Sequence, residues 1–289
     1  MVNSIDEYLR QLRHELTGCD KATIQDALSD TEEYLRNAVA RIQATQSGIS
    51  EAKALNSVLE KYGTPAEVAA GYHDIGSHIE PYNMFSIHGE KQVWFVRYFI
   101  VITDSRAWGA LLYLLLSVLT GIIYFGWMAA GISSVIGTLV YIVGIPLAGV
   151  FVLSIRGLAL IEGRFVETLL GIRMPRRPIF AGANLSLWER FKSLIFDKYT
   201  WSTMAYMLLQ LPLGIVYFSF FACLVVVSVW FIFQPLWAFI PAYKDYFLPI
   251  WAIVVLVPVG IFLLPAALHL AGTVGKWHGS LAKSMLVRE

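Results

Sequence analysis

The sequence predicts an all-α protein: a small cytoplasmic helical bundle, then a polytopic membrane domain of two tandem two-span repeats with amphipathic interfacial helices. Three observations carry that expectation. Of 289 residues, 57% are hydrophobic and only 15% charged, against roughly 25% charged in an ordinary soluble chain. The charge is also segregated: residues 1–75 hold seven Lys/Arg and twelve Asp/Glu, a net of −5, while 76–289 hold fifteen and nine, a net of +6. Finally, one apolar run is written twice. Residues 103–125 read TDSRAWGALLYLLLSVLTGIIYF and residues 196–218 read FDKYTWSTMAYMLLQLPLGIVYF. Without a gap, Asp104 falls on Asp197, Trp108 on Trp201, Tyr113 on Tyr206, Gly121 on Gly214, and Tyr124-Phe125 on Tyr217-Phe218. Shared hydrophobicity does not produce ordered Asp, Trp, Tyr and Gly matches, so a duplicated unit is expected.

Residues 1–75 read as four short helices with clear start and stop signals. Ser4 and Glu7 have capping-box spacing ahead of Ile5, Tyr8, Leu9, Leu12 and Leu16, and Gly18 can end that helix. Asp20 caps a second helix bearing Ile24, Leu28, Thr31, Leu35, Val39 and Ile42. Ser50 opens a third with Leu55, Val58, Leu59 and Tyr62, and Gly63 stops it. Thr64-Pro65-Ala66-Glu67 supplies a cap, a proline at the first helical position and an acid at the third, so a fourth helix begins at once. The bundle is small for an independent core and gains from packing on another surface.

Residues 76–100 read as a linker and an aromatic interfacial segment, with Trp94, Phe95, Tyr98 and Phe99 around Arg97. Beyond it, no Asp, Glu, Lys or Arg stands between Arg106 and Arg156, from Tyr199 to Tyr243, or from Tyr246 to Gly275. A span needs about 20 apolar residues, so four are expected near 107–130, 134–157, 202–231 and 247–271. The turn between the first two is placed at 131–134, and Gln234 with Pro235 is expected to end the third. Eight Lys/Arg lie between Arg156 and Lys198, others flank the first and last spans, and Lys244 alone lies opposite. The positive-inside rule then puts both termini and the central loop in the cytoplasm, and the membrane expected is the plasma membrane. No apolar signal-peptide core is visible in the first twenty residues. Two cysteines, Cys19 and Cys223, are expected to be ordinary thiols.

With both hairpins entering from one side, the repeats are expected to relate by an axis along the membrane normal. Each second span is followed by a segment with helical apolar spacing, 158–172 and 273–287. In the first, Leu158, Ile161, Phe165, Leu169 and Ile172 make the apolar stripe, and Glu162, Arg164 and Glu167 fall elsewhere. Such segments are expected at the interface.

Two resemblances cover nearly the whole chain. YLRQLRHEL, DALSDTEEYL and LEKYGTPAEVAAGY resemble the HAAS signalling domain of prokaryotic membrane proteins. SRAWGALLYLLLSVLTGIIYF, VGIPLAGVFVLSIRGLALIEGRFVETLLGI and the copy from Tyr199 onward resemble the "putative sensor" membrane domain. The resemblances imply a signalling or regulatory role and bring no catalytic residue. No kinase or ATP-binding module is expected after residue 272.

The candidate lipid, ligand or signalling residues are Arg156, Glu162, Arg164, Arg173, Arg176, Arg177 and His269. Arg156 ends a span and is expected to snorkel to lipid head groups. Glu162, Arg164 and Glu167 read as the polar face of an interfacial helix or as a charge network. Arg173, Arg176 and Arg177 flank Pro175 and Pro178 and suit lipid phosphate, although topology alone accounts for them. His269 is a functional candidate because ionisable groups in spans usually are; an interfacial hydrogen bond is its simpler reading. Gly144, Pro146, Gly149, Pro212, Gly214, Pro258, Gly260 and Pro265 shape either a ligand cavity or close helix packing. His73, His78 and His88 with Asp74 and Glu80 match no zinc spacing, so no metal is expected. No phosphate loop, nucleophile–base pair or paired carboxylates is visible; no enzyme, cofactor or nucleic-acid partner is expected. The leading expectation is a membrane sensor acting on a cytoplasmic signalling protein, possible as a homo-oligomer and in contact with membrane lipids. The alternative is a small transporter or transporter subunit, against which the sequence sets the lack of carboxylates deep in the spans.

Overall fold

The computed structural model describes residues 4–45, 49–78, 94–138, 141, 144–176, 192, 196–237 and 248–287. All the regular structure among these is helical. The chain forms two compact units: Met1–Asn83 with Arg173–Asn184 and Val287–Glu289, and Met84–Ile172 with Leu185–Leu286.

The first unit contains α1 (Ile5–Glu15), α2 (Lys21–Thr45), α3 (Glu51–Tyr62) and α4 (Pro65–His78). Ser4 Oγ accepts from the Glu7 amide at 3.2 Å, as capping-box spacing requires. Asp20 Oδ2 accepts from the Ala22 amide at 3.2 Å. Gly63 sits at φ 101°, a conformation that excludes an ordinary side chain, and so ends α3 and starts α4 within two residues. Ile5, Tyr8, Leu12 and Leu16 of the α1 region pack with Leu35, Val39, Leu55, Val58 and Ala69 as the core. The Tyr8 hydroxyl donates to Gly63 O at 2.9 Å, pinning α1 to the α3–α4 corner. Residues 173–176 also belong to this unit, and the Arg176 amide donates to buried Asp26 Oδ1 at 2.7 Å.

The α4 cap is reciprocal: the Thr64 amide donates to Glu67 Oε2 at 2.8 Å, and the Glu67 amide to Thr64 Oγ1 at 3.3 Å. These bonds hold the Glu67 carboxyl below its usual pKa. Its contribution is therefore complete above the ordinary carboxylate range and is lost as pH falls through the lowered folded value. Amide exchange at Thr64 should be slower in the wild-type chain than in Glu67→Ala at neutral pH, and the two should converge on acidification.

The second unit begins with α5 (Trp94–Phe99) and a 3₁₀ turn, Ile100–Thr103. Next come α6 (Ser105–Thr138), α7 (Gly144–Phe165) ending in a π turn (Val166–Leu170), α8 (Lys198–Trp237) and α9 (Ile250–Leu286). Four helices are long and apolar enough to cross a membrane, as composition predicts. Their outer faces carry exposed Leu112, Leu119, Ile122, Val216, Val226 and Val254, the apolar surface that a bilayer covers.

The helices run past the predicted ends. α6 continues through 131–134 to Thr138, because Gly131 is a packing residue: a Cβ there would overlap the Phe151 ring of α7. α8 carries Pro212 and Pro235 inside the helix and keeps Gln234 buried. In apolar surroundings, holding most backbone bonds in one helix outweighs the donor missing at each proline. The two segments expected as separate interfacial helices are continuations: 158–172 extends α7 through the π turn, and 273–287 lies almost wholly within α9. Linker residues 79–93 and the loop with Pro241 and Lys244 lie outside the described residues.

α6 and α8 cross at the matched glycines. A Cβ on Gly121 would lie 2.8 Å from Leu211 Cα, and one on Gly214 would lie 2.8 Å from Val118 Cα. Leu211 and Val118 occupy the same place in the two similar runs, so the crossing is reciprocal. Small residues permit this approach between apolar helices.

Candidate functional site

The α6–α8 crossing brings the hydroxyls of matched Tyr113 and Tyr206 to 3.5 Å, and α7 and α9 contribute side chains around them. Tyr113 and Tyr124 come from α6, Tyr206, Gln210 and Tyr217 from α8, Glu162 from α7, and His278 from α9. Glu162 is fully buried and accepts three phenol hydroxyls. Tyr113 donates to Oε1 at 2.5 Å, Tyr206 to Oε1 at 3.0 Å, and Tyr124 to Oε2 at 2.8 Å. Tyr206 also meets His278 Nε2 at 3.1 Å. The His278 ring lies 5.3 Å from that of Tyr113, 6.0 Å from Tyr206 and 5.5 Å from Tyr217. Gln210 Nε2 donates to Thr120 Oγ1 at 3.4 Å. Three buried polar atoms of this cluster have no protein partner among the described residues: Gln210 Oε1, Tyr217 Oη and His278 Nδ1. A carboxylate costs several kcal/mol to desolvate, roughly, so its three hydroxyl donors are what permit its burial.

The cluster reverses the sequence expectation for Glu162. Ile161 and Phe165 of the apolar stripe are half exposed, while Glu162, expected on the polar face of an interfacial helix or in a charge network, is inside. In a membrane helix the apolar face turns toward lipid and the polar residue turns to the interior. This places a buried carboxylate within a membrane-competent helix, Gly144–Leu170. Directly after α7, the π turn and Gly171, left-handed at φ 69°, lead the chain to Arg173. π turns often mark functional sites.

The other candidates separate. Arg156 does not reach outward; it is buried, donating to Asp197 Oδ2 and Thr200 Oγ1, each at 3.0 Å, with Tyr199 below it at 5.5 Å. Arg164 pairs on the surface with Glu167 at 3.1 Å. Arg173 and Arg176 belong to the first unit. Arg177 lies outside the described residues. His269 stacks on Tyr98 at 5.5 Å, and its Nε2 meets Tyr98 O at 3.1 Å. The Tyr98 hydroxyl donates to Phe262 O at 2.6 Å, which docks α5 on α9. Cys19 Sγ lies 3.3 Å from His73 Nδ1. Among the described residues no group of three His, Cys, Asp or Glu is placed to hold a metal.

Sequence reasoning treated the matched tyrosines as markers of duplication and did not assign Gln210 or His278. The usable signal was the pairing itself: Tyr113 with Tyr206, and Tyr124 with Tyr217, recur where lipid-facing positions need no hydroxyl.

Four membrane-competent helices around a buried carboxylate–tyrosine–histidine cluster define a multi-pass helical membrane protein with a polar interior site. A model of the family described as "Putative sensor" matches residues 113–286, more than half of the chain, and the protein belongs to that family. No curated protein and no solved structure matches it.

Proposed function

We propose that the protein is a prokaryotic plasma-membrane sensor whose HAAS-like bundle, residues 1–75, binds or releases a cytoplasmic signalling protein. Both termini and the central loop face the cytoplasm. A membrane state or a small, largely apolar molecule shifts the packing of the two duplicated hairpins. No catalysis is required of it; the output is a protein–protein contact.

One observation carries this reading. Glu162 sits four residues before the π turn, and the chain then enters 173–176, which is built into the same unit as the bundle through the Arg176 amide and Asp26. A rearrangement around Glu162 therefore has a covalent route to the bundle. The test is crosslinking capture from cells by the tagged full chain, with and without benzyl alcohol to disorder the bilayer. Wild type should capture a cytoplasmic partner in amounts that change with treatment. Asp26→Ala should capture it without that change. Capture of no partner under either condition overturns the proposal.

The buried carboxylate favours a second reading, transport, because such groups mark ion and substrate paths. Substrate-dependent flux in proteoliposomes would place it first.

A further inference from the structure

We propose that the Glu162 cluster is a binding site for a small amphiphilic cation with N–H donors, a primary ammonium on an apolar body. The inference rests on the sensor reading and names its stimulus. The argument is one of charge and of hydrogen-bond complementarity. Tyr206 has one hydroxyl proton; with that proton on Glu162, the contact to His278 is a donation from Nε2–H. His278 Nδ1 then keeps its lone pair. Gln210 Oε1 is an acceptor, Tyr217 Oη both accepts and donates, and none of the three has a protein partner although each residue is more than nine-tenths buried. Glu162 Oε2 takes one hydroxyl where Oε1 takes two, leaving one acceptor position. The surplus is therefore of acceptors.

The charge points the same way. Of the neighbouring cations on α7, Arg156 is paired with Asp197 and Arg164 with Glu167. Glu162 is surrounded instead by phenols, and the rings of Tyr113, Tyr206 and Tyr217 gather around His278. An ammonium supplies a charge opposite to that of the carboxylate, three donors for bare acceptors, and a partner for aromatic faces. An anion would meet the carboxylate, and a purely apolar molecule would leave the acceptors bare. The apolar body follows from access, since the site lies among bilayer-competent helices.

The probe is n-hexylammonium chloride, titrated calorimetrically into the full chain in lipid nanodiscs. Hexan-1-ol serves as the uncharged match and tetramethylammonium as the cation without N–H donors. Saturable binding is expected for hexylammonium alone. Glu162→Gln should weaken it at least about tenfold. Tyr217→Phe deletes a hydroxyl that bonds no protein atom, so it should leave thermal stability unchanged and still weaken binding. That variant separates ligand contact from folding should Glu162→Gln prove unstable. The proposal is overturned if hexylammonium does not bind, if hexan-1-ol binds equally, or if neither variant weakens it. It is also overturned if the signal is reproduced by proton uptake on changing pH without amine. Partner capture with benzyl alcohol involves no amine, so that result stands or falls separately.

Discussion

Asp197→Asn is expected to destabilise the second unit by about 3 kcal/mol, the lower end of the cost of breaking a buried ion pair. Asn keeps the Oδ1 that accepts the Tyr199 amide at 3.3 Å, so the start of α8 is preserved. What disappears is the charge 3.0 Å from Arg156, whose side chain is 8% exposed against 14% for Asp197. The neutral contacts to Thr200 Oγ1 and the Tyr199 face supply no opposite charge for the buried guanidinium. Asp104 is the matched residue and caps α6 in the same way, accepting the Arg106 amide at 3.0 Å. Asp104→Asn should lose much less. Removing both charges while keeping the cap, Arg156→Met with Asp197→Asn, should recover most of the loss because no buried charge remains. Thermal denaturation in mild detergent measures all three, and equal losses for the two asparagine variants would contradict the assigned role of the pair.

That contrast between matched aspartates illustrates what was legible in the sequence. Local signals were: the caps at Ser4, Asp20 and Thr64 act through the backbone next to them, and spacing alone identifies them. Four apolar helices were equally plain. Helix ends were not, because Gly131 and Pro235 are breakers in water but sit within continuous helices where neighbours or backbone satisfaction favour it. The site was the least legible part. Spacing around 158–172 identifies an amphipathic helix, which read as interfacial leaves its polar face toward water, whereas its continuity with α7 turns Glu162 into the bundle. Glu162 turned from surface to centre for that reason. His278 stood in a segment read as cytoplasmic and interfacial, and an unbroken α9 carries it into the interior.

The crossing that assembles the site yields the other large expected effect. Gly214→Ala should destabilise the second unit by about 2 kcal/mol, within the range for overpacking. The added methyl would overlap the Ser117 carbonyl oxygen and lie 2.6 Å from its carbon. Those atoms are backbone, so no rotamer change relieves the contact and α6 and α8 must separate. Gly121→Ala meets Leu211 Cα at 2.8 Å and Gln210 O at 2.9 Å, a less severe overlap, and should cost less. Gly126→Ala, also on α6, meets nothing within 4 Å. There the alanine should be neutral or stabilising, since it favours helix by up to about 1 kcal/mol over glycine. Separation of α6 from α8 would also pull Tyr206 away from Tyr113 and Glu162. Gly214→Ala should therefore weaken hexylammonium binding along with stability, whereas Gly126→Ala should alter neither unfavourably. If all three glycines tolerate alanine alike, the close α6–α8 crossing is wrong, and the cluster built upon it falls with it.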